Sequence, residues 1–298
     1  MFKRILVPMD GSSLAEAALP VASAFGRAFG ARVTLMHVLE KKAPSEIHNQ
    51  RHLREKNEAG AYLDATMKRL ADVAVEVHVH EEKVGNVARG IAQHASELRA
   101  DLIVLCTHGS GGLKRLFWGT IAQRVVAADQ TPVVLVPSGR AAVQSYACRC
   151  IMLPLDGKKE HESGLEPALA CAQSFGASLI VLLAVPRQNE VPGKWSVVSR
   201  LLPSATREIL DQTAGGAQEY LEQLRGLFIE KNVAFASELV RGNPAKAITF
   251  AIDKRRPDLV VLGTHGKAGL DALFEGSVGA RICATSNVPV LLAPAKNP

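Results

Sequence analysis

The chain has 298 residues, of which 47% are hydrophobic and 21% charged, and its formal net charge at pH 7 is +6. This length suits two ordinary domains, and this composition is typical of a folded globular protein rather than a disordered one. The positive charge is spread along the chain and aromatic residues are only 5%, which argues against a nucleic-acid-binding surface.

The first half alternates short apolar segments, typical of buried strands, with segments of helical periodicity. The predicted strands are residues 2–7, 33–38, 73–79, 102–106 and 133–136. The predicted helices are residues 15–29, 55–70, 87–98 and 121–128. This alternation predicts a parallel sheet covered by helices on both faces.

Residues 138–148 carry turn formers and no core pattern, which predicts a linker between a first domain, 1–137, and a second, 149–298. Cys148 and Cys150 are the one close pair among five cysteines. No second pair or histidine stands at ligand spacing, so we expect reduced, packed thiols and predict no metal site.

The second half repeats the first. Residues 5–11 (ILVPMDG) return as 151–157 (IMLPLDG), and residues 100–109 (ADLIVLCTHG) return as 257–266 (PDLVVLGTHG). The first pair is offset by 146 residues and the second by 157, which places an insertion in the second copy, expected near residues 192–195. We therefore predict an α/β protein with two tandem, open, parallel, five-stranded sheets.

Neither half contains a segment suited to a membrane. The longest apolar run, residues 179–185, is far below the roughly 18 residues that a membrane span requires. The N-terminal apolar run, residues 5–9, is shorter than the apolar region of a secretory signal. We expect a cytoplasmic protein that binds neither membranes nor nucleic acid.

Polar and glycine residues recur where the strands should end. Asp10 and Asp156 follow the first strand of each copy, and each fourth strand leads into a glycine-rich loop ending at Gly119-Thr120 or Gly276-Ser277. In open parallel sheets ligands bind beyond the carboxyl ends of the strands, and glycines at a helix start suit a phosphate. Each feature alone is a common helix cap, but their recurrence in both copies favours a ligand site.

The spacing Gly263-x-x-Gly266, nine residues, then Gly276-Ser277 resembles the ATP-binding motif of the universal stress protein family. The resemblance extends over both copies. It implies a Rossmann-like fold of the adenine nucleotide alpha hydrolase type, and it implies ATP, ADP or AMP as the ligand, with Mg²⁺ as an open addition.

The resemblance also implies a role for each position. The aspartate contacts the nucleoside, a residue ending the second strand contacts adenine, and the glycines with the Ser or Thr hold phosphate and ribose. In the second copy these positions are Asp156, Val185, Gly263, Gly266, Gly276 and Ser277. In the first copy they are Asp10, Val38, Gly109, Gly119 and Thr120.

The copies differ at the first motif glycine, because Cys106 stands where the second copy has Gly263. A side chain there would crowd ribose or phosphate, so the second copy is predicted to be the stronger site. His108 and His265 recur in the loops, but no nucleophile or orienting group accompanies them in the nearby sequence. We interpret them as loop-shaping residues and predict no catalytic residue.

These observations predict a nucleotide-binding stress-response module that signals through conformation or partner choice, with at most slow ATP hydrolysis. Three alternatives stay open: a slow ATPase, a nucleotide-free interaction scaffold, and a binder of a lipid-type ligand. The apolar last strands, residues 132–136 and 289–293, would be exposed edges unless they pair. The resemblance implies that they pair between the copies, as single-domain members dimerise, and a homodimer of the whole chain stays open.

Overall fold

The computed structural model describes residues 1–40, 45–47, 50–70, 72–82, 86–107, 120–128, 130–138, 145–185, 203–264 and 277–295. For residues 47, 82, 120, 160, 185 and 203–214 it describes the backbone alone. The insertion expected near residues 192–195 lies outside this part of the chain.

The first half contains seven strands, four α-helices and a 3₁₀ helix in its described residues. The strands are β1 (Arg4–Pro8), β2 (Arg32–Glu40), β3 (Glu46–Ile47), β4 (Gln50–Arg51), β5 (Ala74–Glu82), β6 (Leu102–Thr107) and β7 (Val133–Pro137). The helices are a 3₁₀ helix (Ala15–Ala18), α1 (Leu19–Phe29), α2 (Lys56–Lys68), α3 (Val87–Glu97) and α4 (Thr120–Ala128). The five predicted strands are confirmed, each end lying within three residues of its predicted position.

Apart from β3 and β4, the described part of the second half repeats this order. Its strands are β8 (Cys150–Leu155), β9 (Ser178–Val185), β10 (Phe235–Arg241), β11 (Leu259–Thr264) and β12 (Val290–Pro294). Its helices are a 3₁₀ helix (Lys159–Gly164), α5 (Leu165–Phe175), α6 (Pro203–Glu230), α7 (Pro244–Arg255) and α8 (Val278–Thr285). No helix in the described ranges is long and apolar enough to cross a membrane.

Two local predictions need correction. The single helix predicted over residues 15–29 is a 3₁₀ helix followed by α1, because Pro20 lies in the first turn of α1 and lacks the N–H that would continue a helix from residue 16. The predicted linker is partly core, since Tyr146 and Cys148 are buried. Tyr146 also donates its hydroxyl to the backbone oxygen of Asp258 at 2.8 Å.

Ten of the described strands form one sheet, in the order β10-β9-β8-β11-β12-β7-β6-β1-β2-β5. Within each half the strands of this sheet are parallel, which confirms the predicted α/β class. The halves meet where β12 pairs antiparallel with β7, and Leu291 lies opposite Val134. The two edge strands identified in the sequence therefore cover each other in this structure.

The halves also share a core on one face of the sheet. Phe175 of α5 lies against Phe25 and Phe29 of α1, with ring centroids 5.0 and 6.1 Å away. Both helices end at a glycine in the left-handed conformation, Gly30 with φ +56° and Gly176 with φ +64°. Only glycine adopts this conformation without strain, so the two copies use the same helix stop.

Candidate functional site

The strand order reverses once in each half, and the predicted aspartates lie at these reversals. β1 lies between β2 and β6, and β8 lies between β9 and β11. The register that pairs Ile5 with Leu102 brings Asp10 level with Thr107, the last residue of β6. The equivalent register of β8 and β11 brings Asp156 level with Thr264. These are the positions at which open α/β sheets bind ligands.

In the first copy the Asp10 carboxylate holds a tight turn. Ser12 donates its backbone N–H at 2.9 Å and its hydroxyl at 2.6 Å to Asp10 Oδ1. Gly11 between them has φ +87°, a conformation that side chains disfavour. Asp10 therefore orders its own loop, which is a common structural role for an aspartate that follows a strand.

The segment that includes β4 covers this turn. Gln50 accepts the Ser13 N–H at 2.8 Å and donates to the Ser13 hydroxyl at 3.1 Å. A Cβ on Gly11 would lie 2.8 Å from Leu53. Strands β3 and β4 were not predicted from the sequence, because two-residue strands show no alternating pattern. The first crevice is thus bordered by a segment that closes over its turn.

In the second copy the corresponding turn is more open and more basic. Asp156 accepts the Lys158 N–H at 3.1 Å, and His161 Nδ1 lies 2.5 Å from Asp156 Oδ2. The Asp156 side chain is 44% exposed. A Cβ on Gly157 would meet no described atom within 4 Å. The second copy has Lys158, Lys159 and His161 where the first copy has Ser12, Ser13 and Ala15.

His161 was not predicted as a site residue. In the sequence it is five residues beyond Asp156, outside the resemblance motif. The 3₁₀ helix Lys159–Gly164 turns it back onto the aspartate. The signal available from sequence is the replacement of Ala15 by a histidine at the equivalent position, offset by 146 residues.

Backbone packing in the second copy explains why the first motif position, residue 263, is a glycine. A Cβ on Gly263 would lie 2.7 Å from Ser163 Oγ and 2.8 Å from the backbone oxygen of His161. A Cβ on Gly164 would lie 2.9 Å from the Gly263 nitrogen, so the 3₁₀ helix and β11 approach backbone to backbone. The space in front of Gly263 is filled by the protein itself.

The first copy packs differently at this point. Cys106 is 6% exposed and belongs to the core cluster that contains Ala15 and Ala17 of the 3₁₀ helix. Burial and the nearby charge of Asp10 raise the pKa of the Cys106 thiol to about 12. The difference between Cys106 and Gly263 therefore changes how β6 and β11 pack against their 3₁₀ helices, in addition to any effect on a ligand.

The threonines that end β6 and β11 differ in hydrogen bonding. Thr107 Oγ1 donates to the backbone oxygen of Val136 at 3.3 Å. Thr264 Oγ1 is buried and has no hydrogen-bond partner among the described residues. Buried polar groups in native proteins are nearly always paired, so this hydroxyl, level with Asp156, is a candidate ligand contact.

Each 3₁₀ helix is tied by a tyrosine to the helix that follows the second strand of its half. Tyr62 of α2 donates to Glu16 at 3.1 Å, and Tyr220 of α6 donates to Glu162 at 2.8 Å. Burial and the neighbouring glutamate raise the pKa of each tyrosine well above its ordinary value. The Tyr–Glu pair is a shared device that fixes the segment beside each aspartate.

The remaining predicted positions are placed as follows. Val38 is buried in β2 and pairs in register with His80, whereas Val185 is the last residue of β9. The register makes Ala184 the counterpart of Val38, so the two predicted adenine contacts are not equivalent positions.

The predicted Ser and Thr positions lie at helix starts. Ser277 caps α8 by accepting the Ala280 N–H at 3.1 Å, and Thr120 begins α4. Outside the described residues lie Gly109, Gly119, Gly266, Gly276, His108 and His265.

The model of the Usp family, described as the universal stress protein family, matches residues 1–137 and 148–294. The chain belongs to the universal stress protein family. The two matched ranges show that this universal stress protein carries the family sequence twice, once in each half of the sheet.

Curated relatives carry the same family name. A universal stress protein of Mycobacterium bovis is 28% identical over 80% of this chain and 77% of its own length. One of Mycolicibacterium smegmatis is 23% identical over 97% and 96%. A Thermus aquaticus universal stress protein is 36% identical over 46% of this chain and 99% of its own length. The relatives thus include proteins matching most of the chain and a protein matching one half.

Solved structures share the fold over nearly the full length. A universal stress protein from Archaeoglobus fulgidus has a TM-score of 0.66 at 15% identity, covering 98% of both chains. A functionally unknown protein from Pseudomonas aeruginosa has a TM-score of 0.68 at 16% identity, covering 99% of this chain and 93% of its own. At this identity the likeness establishes the fold alone.

Proposed function

We propose that this universal stress protein binds an adenine nucleotide at the reversal point of each half, most tightly in the second, and acts as a stress-response binding module. The observation that carries the proposal is that Asp156 lies level with Thr264 at the ends of neighbouring strands, and that the Thr264 hydroxyl has no partner among the described residues. Each copy, 1–137 and 149–298, acts as one nucleotide-binding domain in this proposal.

The residues present suit such a ligand. An exposed carboxylate accepts hydrogen bonds from ribose hydroxyls or from the adenine amine, and Asp156 is 44% exposed. The Ser277 hydroxyl accepts a helix N–H and keeps its own proton to donate to a phosphate oxygen at the start of α8. The cationic side chains of Lys158 and Lys159 add attraction for phosphate in the second copy.

The first site is proposed to be weaker for two reasons. Asp10 Oδ1 already accepts two hydrogen bonds from Ser12. The β4 segment lies against Ser13 and Gly11, so a ligand must fit beside it or displace it. Displacement costs the hydrogen bonds that hold the segment, which lowers affinity.

The test is calorimetric titration of ATP, ADP and AMP, with and without Mg²⁺, into the wild type and matched variants. Asp156→Asn should weaken binding about 10-fold to 100-fold, because a hydrogen bond to a charged group contributes about 1.5–3 kcal/mol. Asp10→Asn should change the stronger site little. Equal losses, or no nucleotide binding to the wild type, would contradict the proposal.

A second pair of variants separates ligand binding from folding. Thr264→Val removes a buried hydroxyl with no described partner, so the nucleotide-free protein should gain stability while ATP binding weakens. Thr107→Val removes a hydroxyl that is paired with Val136 and should lose stability instead. If Thr264→Val leaves ATP affinity unchanged, Thr264 does not contact the nucleotide.

A further inference from the structure

Three histidines converge in the first half, on β5 and α3. His78 and His80 are two residues apart on β5, so their side chains share one face of this strand. His94 lies on α3, which packs against that face, and only 8% of it is exposed. Each ring offers one nitrogen such that the three nitrogens lie within 4.8 Å of one another.

The rings are in direct contact. His94 Nε2 lies 2.5 Å from His80 Nδ1, and the centroids of these rings are 4.1 Å apart. The centroids of His78 and His94 are 4.7 Å apart. His78 Nε2 is buried without a hydrogen-bond partner in the described residues. An unpaired nitrogen beside two other imidazoles needs an explanation, and a shared cation supplies one.

A carboxylate orients the central ring. Glu97 Oε2 lies 2.7 Å from His94 Nδ1, so His94 Nδ1–H donates to Glu97 and the Nε2 lone pair faces the other rings. This carboxylate–histidine arrangement is the one that usually supports a metal-bound imidazole.

The second half provides a natural comparison. By register with β9 and β2, Glu238 and Val240 stand where His78 and His80 do. The shared helix caps, Asn86 and Asn243, place Ala251 at the position of His94. There Arg255 pairs with Glu238 at 2.9 Å. The second half thus has a paired Arg255 and Glu238 at this place. In the histidine cluster, by contrast, His78 Nε2 has no partner among the described residues.

We propose that His78, His80 and His94 bind one divalent transition-metal ion of the zinc type, with Glu97 as the positioning residue for His94. Zinc–nitrogen distances are about 2.0–2.1 Å, which in tetrahedral geometry separates ligand nitrogens by about 3.3 Å. His80 and His94 must therefore move apart by about 0.8 Å from the hydrogen-bonded distance, within reach of side-chain rotation. Three protein ligands leave a fourth position for water or another ligand.

The test is a titration of zinc chloride into the full-length protein in competition with a chromophoric chelator. We expect one ion per chain. His78→Gln and His94→Gln should each weaken binding at least about 100-fold, and Glu97→Gln about 10-fold to 100-fold. The matched control is Glu238→Gln, at the second-half position equivalent to His78, and it should leave zinc affinity unchanged.

Thermal unfolding with and without zinc checks that the variants fold. Saturating zinc should raise the Tm of the wild type and of Glu238→Gln, and it should not raise the Tm of His94→Gln. A wild type that binds no zinc, or a single zinc ion retained by both histidine variants, would overturn the proposal. The nucleotide titrations without Mg²⁺ are run in a chelator that removes zinc, so a failure of zinc binding and a failure of nucleotide binding are told apart.

Discussion

The two copies share a scaffold and differ in what surrounds each aspartate. Both place the aspartate and a threonine level at a strand reversal, and both tie the adjacent 3₁₀ helix with a Tyr–Glu pair. The first copy closes its turn with serines and the β4 segment, whereas in the second copy Asp156 contacts His161 and stays partly exposed. The comparison teaches that the sheet fixes where a site lies, while a few turn residues decide how accessible it is.

The largest effect should come from valine at the paired positions 263 and 106. Gly263→Val would push the 3₁₀ helix off β11, because even a Cβ would lie within 2.8 Å of Ser163 and of the His161 backbone. Overpacking of this kind costs about 2–3 kcal/mol. Cys106→Val changes a buried side chain of similar volume and should cost less than about 1.5 kcal/mol. Urea unfolding of both variants measures the difference, and equal costs would remove Gly263 as a packing glycine.

The tyrosine hydroxyls should give an intermediate effect. Tyr220→Phe removes the described donor of Glu162 and should cost about 1–2 kcal/mol of unfolding free energy. Tyr62→Phe should cost less, because Arg69 still donates to Glu16 at 2.7 Å. Urea midpoints of the two variants make the comparison. A larger loss for Tyr62→Phe would show that Arg69 does not compensate.

The raised pKa values of the same tyrosines predict that the stability of the fold decreases at alkaline pH. Burial raises the pKa of Tyr62 and Tyr220, so the folded protein keeps a proton that the unfolded chain loses above its ordinary pKa of 10.0. Stability is therefore fully present below pH 10 and falls as the pH rises from there. The double variant Tyr62→Phe/Tyr220→Phe should lose less stability in that range, as followed by Tm.

The smallest and most even effect should come from the helix caps. Asn86 accepts the Arg89 N–H at 3.1 Å, and Asn243 accepts the Lys246 N–H at 3.2 Å. Asn86→Ala and Asn243→Ala should each cost about 1 kcal/mol, since both remove one N-cap. Urea unfolding that shows clearly unequal costs would mean that one of the caps also supports its neighbourhood.

The sequence was most informative for strands that are buried on both faces of the sheet. The central strand β6 is a continuous apolar run, so its ends were predicted closely. The repeat located both aspartates, because turn residues after a strand recur with the same spacing. Contacts between residues far apart in the chain could not be predicted from such local patterns. The closure of β4 over Ser13, the return of His161 to Asp156 and the meeting of His94 with β5 depend on chain folding between residues that no local pattern links.

The antiparallel join between β7 and β12 has a consequence for synthesis on the ribosome. β7 ends at Pro137 and its partner begins at Val290, so the first half is complete long before its sheet edge can be covered. At translation rates of about 5–20 residues per second, that apolar edge waits on the order of 10–30 seconds for its partner. The nascent first half therefore carries an open strand that invites pairing with a neighbouring nascent chain, and the arrival of β12 ends that competition.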